Sequence, residues 1–508
     1  MKYDVIIVGA GSAGAPLAAL LSDEPSISVL LLDEGPYYPT LEQLPEVIKT
    51  SYGSFMGTEN PYVRSYPAQY SAQQSEPKRA YRGMVVGGGS AINGSVFLRG
   101  LAEDFDSWSS LGNEQWAYDR VLPFFCKLEC DMDFGGYFHG KEGPIPVRRV
   151  QKNEQLPAAR AFQEASISKG FIYCPDLHRP YATGVGPIAL NDRDGTRINT
   201  AMAYLNPRRQ RINLSIRGNV TVRRILFNGR QAIGVEAESG GETFSVYGRE
   251  TVLSAGAIAS PFLLLHSGVG PSRQLQHLGI PLVHDLPAVG ENLGNHPTAN
   301  LSFPSVGGTL HENLPNQVLL RYTARNSATP NDMTISLESR PSMLSGTPHA
   351  RLALTLQLPK SVGRLYLTNR EPSVPPSIRY GYYENPWDLQ RMREGTRLSL
   401  CIAKDPALQE VLDKVSIPTG DDLASDQSLD KWLLTSTSTY QHSCGTCKMG
   451  VPSDRMAVVD QYCRVYGLES LRVVDASIMP HIVRANLNAT CVMIGERVAA
   501  WIKEDLAV

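Results

Sequence analysis

Apolar and polar positions change period several times along the chain, and each change predicts an element. Tyr3–Val8 (YDVIIV) is an unbroken apolar run rich in β-branched residues, the pattern of a strand covered on both faces. Ala15–Leu21, rich in Ala and Leu, predicts a helix, and Ser28–Leu32 predicts a second buried strand that ends at Asp33. Val220–Phe227, Ala232–Glu238 and Thr243–Tyr247, with a turn at Asn228-Gly229, predict a meander closed by a strand at Glu250–Ser254. Met333–Ser339, Leu352–Leu358 and Arg364–Thr368 alternate apolar and polar residues, as antiparallel strands with one covered face do. Pro-rich breaks at 341–348 and 372–376 separate or end them. In the last segment Cys491, Ile494, Val498 and Ile502 form the apolar stripe of a helix, with Asn488 as its expected N-cap.

Composition removes several function classes. Residues are 42 % hydrophobic over 508 positions, an ordinary globular balance in a chain long enough for a large core. A net charge of −2 without an extended Lys/Arg run argues against a nucleic-acid binder. No apolar stretch approaches the length of a membrane span. Eight cysteines are too few for a disulfide scaffold and fit the cytoplasm. Lys2 and the apolar run after it invite comparison with a signal peptide, but Asp4 and the regularly spaced glycines that follow argue otherwise.

Those glycines carry the first candidate chemistry. Gly9, Gly11 and Gly14 form a G-x-G-x-x-G between a predicted strand and a predicted helix. Such a turn brings backbone N–H groups and a helix N-terminus to a pyrophosphate. Asp33, at the end of the next strand, is placed to accept from ribose hydroxyls. A second glycine cluster, Gly87, Gly88 and Gly89, sits in Arg82–Gly100 beside Ser90 and Asn93 and reads as a buried, ligand-facing turn. A third segment, Gly256–Pro271, follows the meander as a strand–turn–helix returning to the nucleotide site.

Together these segments resemble the glucose–methanol–choline (GMC) family of FAD-dependent oxidoreductases, over nearly the whole chain. Arg82-Gly83 with Gly87–Gly94 resembles the family's first signature, and Gly256–Gly270 its second. His442–Gly450 (HSCGTCKMG) resembles the catalytic-histidine segment, and Leu471–Ala500 the closing flavin segment. The resemblance implies an α/β fold: a Rossmann-like FAD-binding domain, with parallel sheet and β-meander, interleaved with a substrate domain on an antiparallel sheet with flanking helices. The expected division is 1–149 with 196–300 and 440–508 for FAD, and 150–195 with 301–439 for substrate. The FAD contacts it implies are Gly9, Gly11, Ser12, Gly14, Asp33, Glu34, Arg82, Gly87, Gly88, Ser90, Asn93, Gly94, Val222, Ala255, Gly256, Asp475, Ala476, Asn488 and Thr490. Ile92 stands where some members carry the His that links FAD covalently, so non-covalent binding is expected.

Alcohol oxidation needs a hydride acceptor and a proton acceptor. Flavin serves as the first, and a His suits the second. The resemblance gives that role to His442 and substrate orientation to Asn486, although Leu487 replaces the usual following Pro. It implies a small-molecule alcohol as substrate, with oxygen, a quinone or a redox carrier taking the electrons. His139–Arg149 and Gly184–Thr200 look similar to a bacterial branch that includes the mycofactocin-associated dehydrogenases. A flavin-containing lyase or decarboxylase on the same fold is the alternative.

Other residues read as structural. His296, in VGENLGNHP, belongs to a family segment near the cofactor, and Arg484 is expected to be ion-paired or on the surface. His481 is a weaker candidate for the pocket wall. Cys444 and Cys447 form a C-x-x-C without a second pair to complete a metal site, and no metal is expected. Cys126 and Cys130 are spaced to share a helix face. Paired glycines suggest a hinged lid at Phe134–His139.

Overall fold

The computed structural model describes residues 2–51, 60–304, 306, 316–341 and 348–506. The two apolar runs at the start of the chain join later strands to form the central sheet. Leu214–Arg217, Val29–Leu32, Lys2–Val8 and the distal half of Glu242–Leu253 run parallel, and Leu471–Val473 pairs with Thr251–Leu253 at the edge. The meander is continuous with this sheet. Thr221–Asn228, Gln231–Ser239 and the first half of Glu242–Leu253 pair antiparallel. The two strands expected at Thr243–Tyr247 and Glu250–Ser254 are therefore one strand, whose halves serve the meander and the parallel sheet. Its hairpin turn is at Gly229-Arg230, one residue later than expected, because Asn228 still pairs with Gln231.

A six-stranded antiparallel sheet lies over the cavity. Its order is Ser438–Thr439, Pro297–Pro304, Pro348–Leu356, Met333–Pro341, Val318–Tyr322 and Gly184–Pro187. Alternation explains its two faces. Met333 and Leu354 meet the helix Pro386–Ala403, where Gly395 removes a side chain to let them approach. Glu338, Arg351 and Thr298 point the other way and line the cavity. Both faces are covered, rather than the one expected, and so Leu352–Leu356 is buried throughout. The strand expected at Arg364–Thr368 forms as Arg364–Tyr366 but joins another sheet. The Pro-rich turn at 372–376 folds it back on Ser377–Arg379, beside Val63–Gln69 and Lys78–Gly83. The break at 341–348 lies, over 342–347, outside the described residues.

The closing helix spans Leu487–Leu506, with its expected stripe buried. Asn488 sits inside the first turn rather than at the N-cap, and its Oδ1 accepts from Ser12 Oγ at 2.8 Å. Gly495 lets this helix lie on the glycine turn: a Cβ there would come within 2.3 Å of the Ala13 carbonyl.

Candidate active site

The strand ends, the glycine turns and the antiparallel sheet enclose a cavity of about 750 Å³. At its nucleotide end, Gly9 turns the chain at φ +99° and its neighbour Ala10 donates to Asp33 Oδ2 at 2.8 Å. Asp33 Oδ1 accepts from Gly35 N–H at 2.9 Å, so this carboxylate ties two turns together as it reaches the cavity wall. Glu34 beside it pairs with Arg82 and, at 3.2 Å, with Arg64.

The two glycine turns abut. A Cβ on Gly88 would lie 2.7 Å from Gly11 Cα, whereas Gly89, Gly94 and Gly256 face open space. Bare backbone around a long cavity, with a helix N-terminus at Asn486–Asn488, is a cradle that fits a dinucleotide. Asp475 holds the far wall. It accepts from Gly256 N–H at 2.8 Å and Ser260 Oγ at 2.5 Å through one oxygen, and from Ser477 N–H at 2.8 Å and Ser477 Oγ at 2.6 Å through the other.

Most of the expected contact set lines this cavity: Gly9, Gly11, Ser12, Asp33, Glu34, Arg82, Gly88, Asn93, Gly94, Val222, Ala255, Gly256, Asp475, Ala476 and Asn488. Four residues stand behind the wall instead. Gly14 packs the helix on the turn, since a Cβ would meet the Gly9 carbonyl at 2.0 Å. Gly87 lies against Ala91 and Asn199. Ser90 donates to the Gly87 carbonyl at 2.6 Å and accepts from Thr200 N–H at 3.0 Å. Thr490 is fully buried in the closing helix. Residues missed in the sequence line the cavity's other surfaces, among them Arg64, Tyr66, Glu338, Arg351 and Tyr440. Glu338 and Arg351 are cross-strand partners and form an ion pair, and Tyr440 donates to Glu338 Oε1 at 3.3 Å. The register of two neighbouring strands brings Glu338 to Arg351, and a distant segment brings Tyr440 to them.

His442 and Asn486 meet in the same cavity, with Asn486 Nδ2 at 3.3 Å from His442 Nε2. Asn295 anchors the histidine segment by accepting from His442 N–H at 2.9 Å and His296 N–H at 2.8 Å. His442 Nδ1 lies 2.9 Å from His296 Nδ1, and the Tyr440 ring packs 5.2 Å from the His442 ring, centroid to centroid. Burial, reinforced by the neighbouring imidazole, holds His442 well below the ordinary histidine range, so it is neutral at neutral pH. A neutral ring retains a lone pair with which to accept a proton.

The remaining candidates have structural partners. Arg484 pairs with Asp104 at 2.7 Å, away from the cavity lining. His481 Nε2 is 2.9 Å from Ser107 Oγ and does not line the cavity. Cys444 and Cys447 are buried free thiols whose pKa values are pushed up by burial, which disfavours the reactive thiolate. Cys126 ends up on the helix Tyr118–Leu128 and Cys130 on the strand Glu129–Asp131, so they share no helix face.

Phe134–His139 forms no part of the cavity lining; His139 is buried in a charge cluster. It bridges Asp131 and Asp176, each at 2.9 Å, and Arg149 meets Asp131 at 2.9 Å. Glu129, Asp131, His139 and His178 bring possible metal-ligating atoms within 4.8 Å of one another. Arg99 on Glu129 and Arg149 on Asp131 and Asp176 already counter the carboxylates, so this cluster has the charge balance of an ion-pair network.

The chain is similar to known proteins over nearly its whole length. Residues 3–298 and 359–495 match two family models, both described as GMC oxidoreductase. A GMC-type oxidoreductase of Rhodococcus erythropolis is 34 % identical over 99 % of this chain and 98 % of its own length. An oxygen-dependent choline dehydrogenase of Photobacterium profundum is 33 % identical over 98 % of this chain and 92 % of its own. The crystal structure of pyridoxine 4-oxidase from Mesorbium loti superposes with a TM-score of 0.90 at 29 % identity, covering 99 % of each chain.

Proposed function

The chain belongs to the GMC oxidoreductase family, and we propose that it oxidises a small alcohol to an aldehyde or ketone, with FAD as hydride acceptor. The observation that carries this reading is the fork formed by His442 Nε2 and Asn486 Nδ2, 3.3 Å apart in the cavity that the glycine turns enclose. A hydroxyl both donates and accepts, and the fork complements it: His442 accepts the O–H, while Asn486 donates to the oxygen. His442 then takes the hydroxyl proton on Nε2 as the carbinol C–H is broken. Bound FAD supplies the acceptor for that hydride, and fixing the carbinol near it turns proximity into rate.

The residues that would hold FAD are the cavity-lining glycines, Ser12, the Asp33–Glu34 pair, Arg82 and the start of the closing helix, whose dipole favours negative charge. Ile92 lines the same cavity and has no nucleophilic atom, which supports a non-covalent flavin. On the substrate side, the Glu338–Arg351 pair and the Tyr440 hydroxyl form a polar end. This favours an alcohol with a second hydrogen-bonding group. Oxygen, a quinone or a redox carrier closes the turnover. None of the described helices is long and apolar enough to cross a membrane. We place the protein in the cytoplasm, on the eight cysteines that remain free thiols.

The test is the visible spectrum of the purified yellow protein under argon as alcohols are added. The panel holds choline, pyridoxine and aromatic, aliphatic and sugar alcohols. Bleaching by one class supports the reading and identifies the substrate class. An unbleached flavin across the whole panel counts against alcohol oxidation and for the lyase alternative.

A further inference from the structure

We propose that His296 is a positioning residue that fixes the tautomer of His442, holding the proton on Nδ1 so that the Nε2 lone pair faces the alcohol. The inference rests on reading His442 and Asn486 as the substrate pair, and the geometry of three consecutive contacts carries it. His296 is fully buried, and its Nε2 lies 3.1 Å from the Val483 carbonyl. A carbonyl only accepts, so His296 Nε2 carries a hydrogen.

The two Nδ1 atoms are 2.9 Å apart, which requires one hydrogen between them. If His296 supplied it, His296 would be a doubly protonated imidazolium. Burial opposes that, pushing its pKa down to about 3, even though the Gln357 and Val483 carbonyls lie beside the ring and favour the cation. His296 is therefore neutral, its Nδ1 is an acceptor, and the hydrogen sits on His442 Nδ1. A neutral imidazole carries one N–H, so His442 Nε2 is left with a lone pair. The far side agrees: the Asn486 amide presents Nδ2, a donor, to that nitrogen at 3.3 Å.

The consequence is directional. With the opposite tautomer His442 would present an N–H to the substrate hydroxyl and could not accept its proton. The Val483 carbonyl thus sets the protonation of a ring two hydrogen bonds away. Val483 is also part of the backbone segment that carries Asn486, so the base and its amide partner are aligned by one stretch of chain.

The primary test is nitrogen NMR of the holoenzyme labelled with ¹⁵N-histidine, with His442 assigned by loss of its signals in His442→Asn. The expected result is a pyrrole-type Nδ1 and a pyridine-type Nε2 on His442; the reverse pattern overturns the proposal. The kinetic test follows anaerobic flavin reduction by the best alcohol found. His296→Leu removes the acceptor and is expected to slow reduction by roughly 10²-fold, the lower range for losing a general base, with little change in substrate affinity. His296→Asn places an amide oxygen where Nδ1 was and is expected to restore most of the rate. Equal rates in the Leu and Asn variants overturn the proposal. If His296→Leu does not fold, the spectrum of the unaltered protein still decides. If no alcohol reduces the flavin, the functional reading fails while the tautomer is still measured.

Discussion

At the scale of single residues, the chemistry depends on a neutral imidazole held beside an amide. His442 is kept neutral by burial and by a second imidazole, so lowering the pH should disarm it only well below the ordinary histidine range. For His442→Asn we predict a loss of roughly 10²–10⁴-fold in the rate of flavin reduction, the usual contribution of a general base, with flavin content unchanged. Stopped-flow reduction under argon checks the rate, and the absorbance ratio of flavin to protein checks the content. A variant that reduces at the original rate removes His442 from the mechanism. His442 and Asn486 were legible in the sequence because each sits in a short motif with fixed neighbours. The contact between His442 and His296 was not. It joins positions 146 apart, through a strand and a loop whose approach no local spacing encodes. Glu338 and Arg351 were hidden for the same reason, since only cross-strand register brings them into one cavity.

At the scale of elements, two glycine turns make one cradle, and they do so differently. Gly88 has φ +51° and touches Gly11, so its missing side chain allows one turn to close on the other. Gly89 has open space where its Cβ would be, so its missing side chain allows a ligand to approach. Gly88→Ala should therefore lower both the melting temperature of the flavin-free protein and the flavin content. Gly89→Ala should lower flavin content and leave the flavin-free melting temperature within a few degrees. Thermal unfolding after flavin removal, read beside the flavin-to-protein ratio, separates the two; identical behaviour would refute the distinction. Runs of glycine announced both turns in the sequence, but could not announce which glycine serves packing and which serves the ligand. The same limit applied to Gly14, Gly87 and Ser90, which support the wall from behind. The strands Lys2–Val8 and Val29–Leu32 were legible because apolar runs meet turn residues there. Strands were misjudged where one strand served two sheets, as Glu242–Leu253 does.

At the scale of the whole molecule, the parallel sheet and the antiparallel sheet must stay in register for the cavity to exist. We propose that the flavin unit comprises 1–149, 196–300 and 440–508, and the substrate unit 150–195 and 301–439. The boundary near 300 then falls within the strand Pro297–Pro304, which carries the chain from His296 straight into the antiparallel sheet. The buried charge cluster crosses the seam at 150, joining Arg99, Glu129, Asp131, His139 and Arg149 to Asp176 and His178. Its response to pH follows from the carboxylates around His139. Although burial opposes the charged ring, the hydrogen bonds that it donates to Asp131, Asp176 and Glu129 raise the pKa of His139 from 6.5 to about 10. A raised folded-state pKa contributes stability that is complete below about 6.5 and is lost as pH rises towards about 10. Asp176 shifts the other way, to about 2 against burial, because His139, His178 and Arg149 favour its charge. Its contribution is complete above about 3.8 and is lost as pH falls through about 2. For His139→Gln we therefore predict a melting temperature well below that of the unaltered protein at pH 6, with the gap closing as pH approaches 10. Melting curves of both proteins across that range check it. A gap that stays constant with pH would mean that the ring contributes packing alone, and that the seam is held by the arginines rather than by a charged histidine.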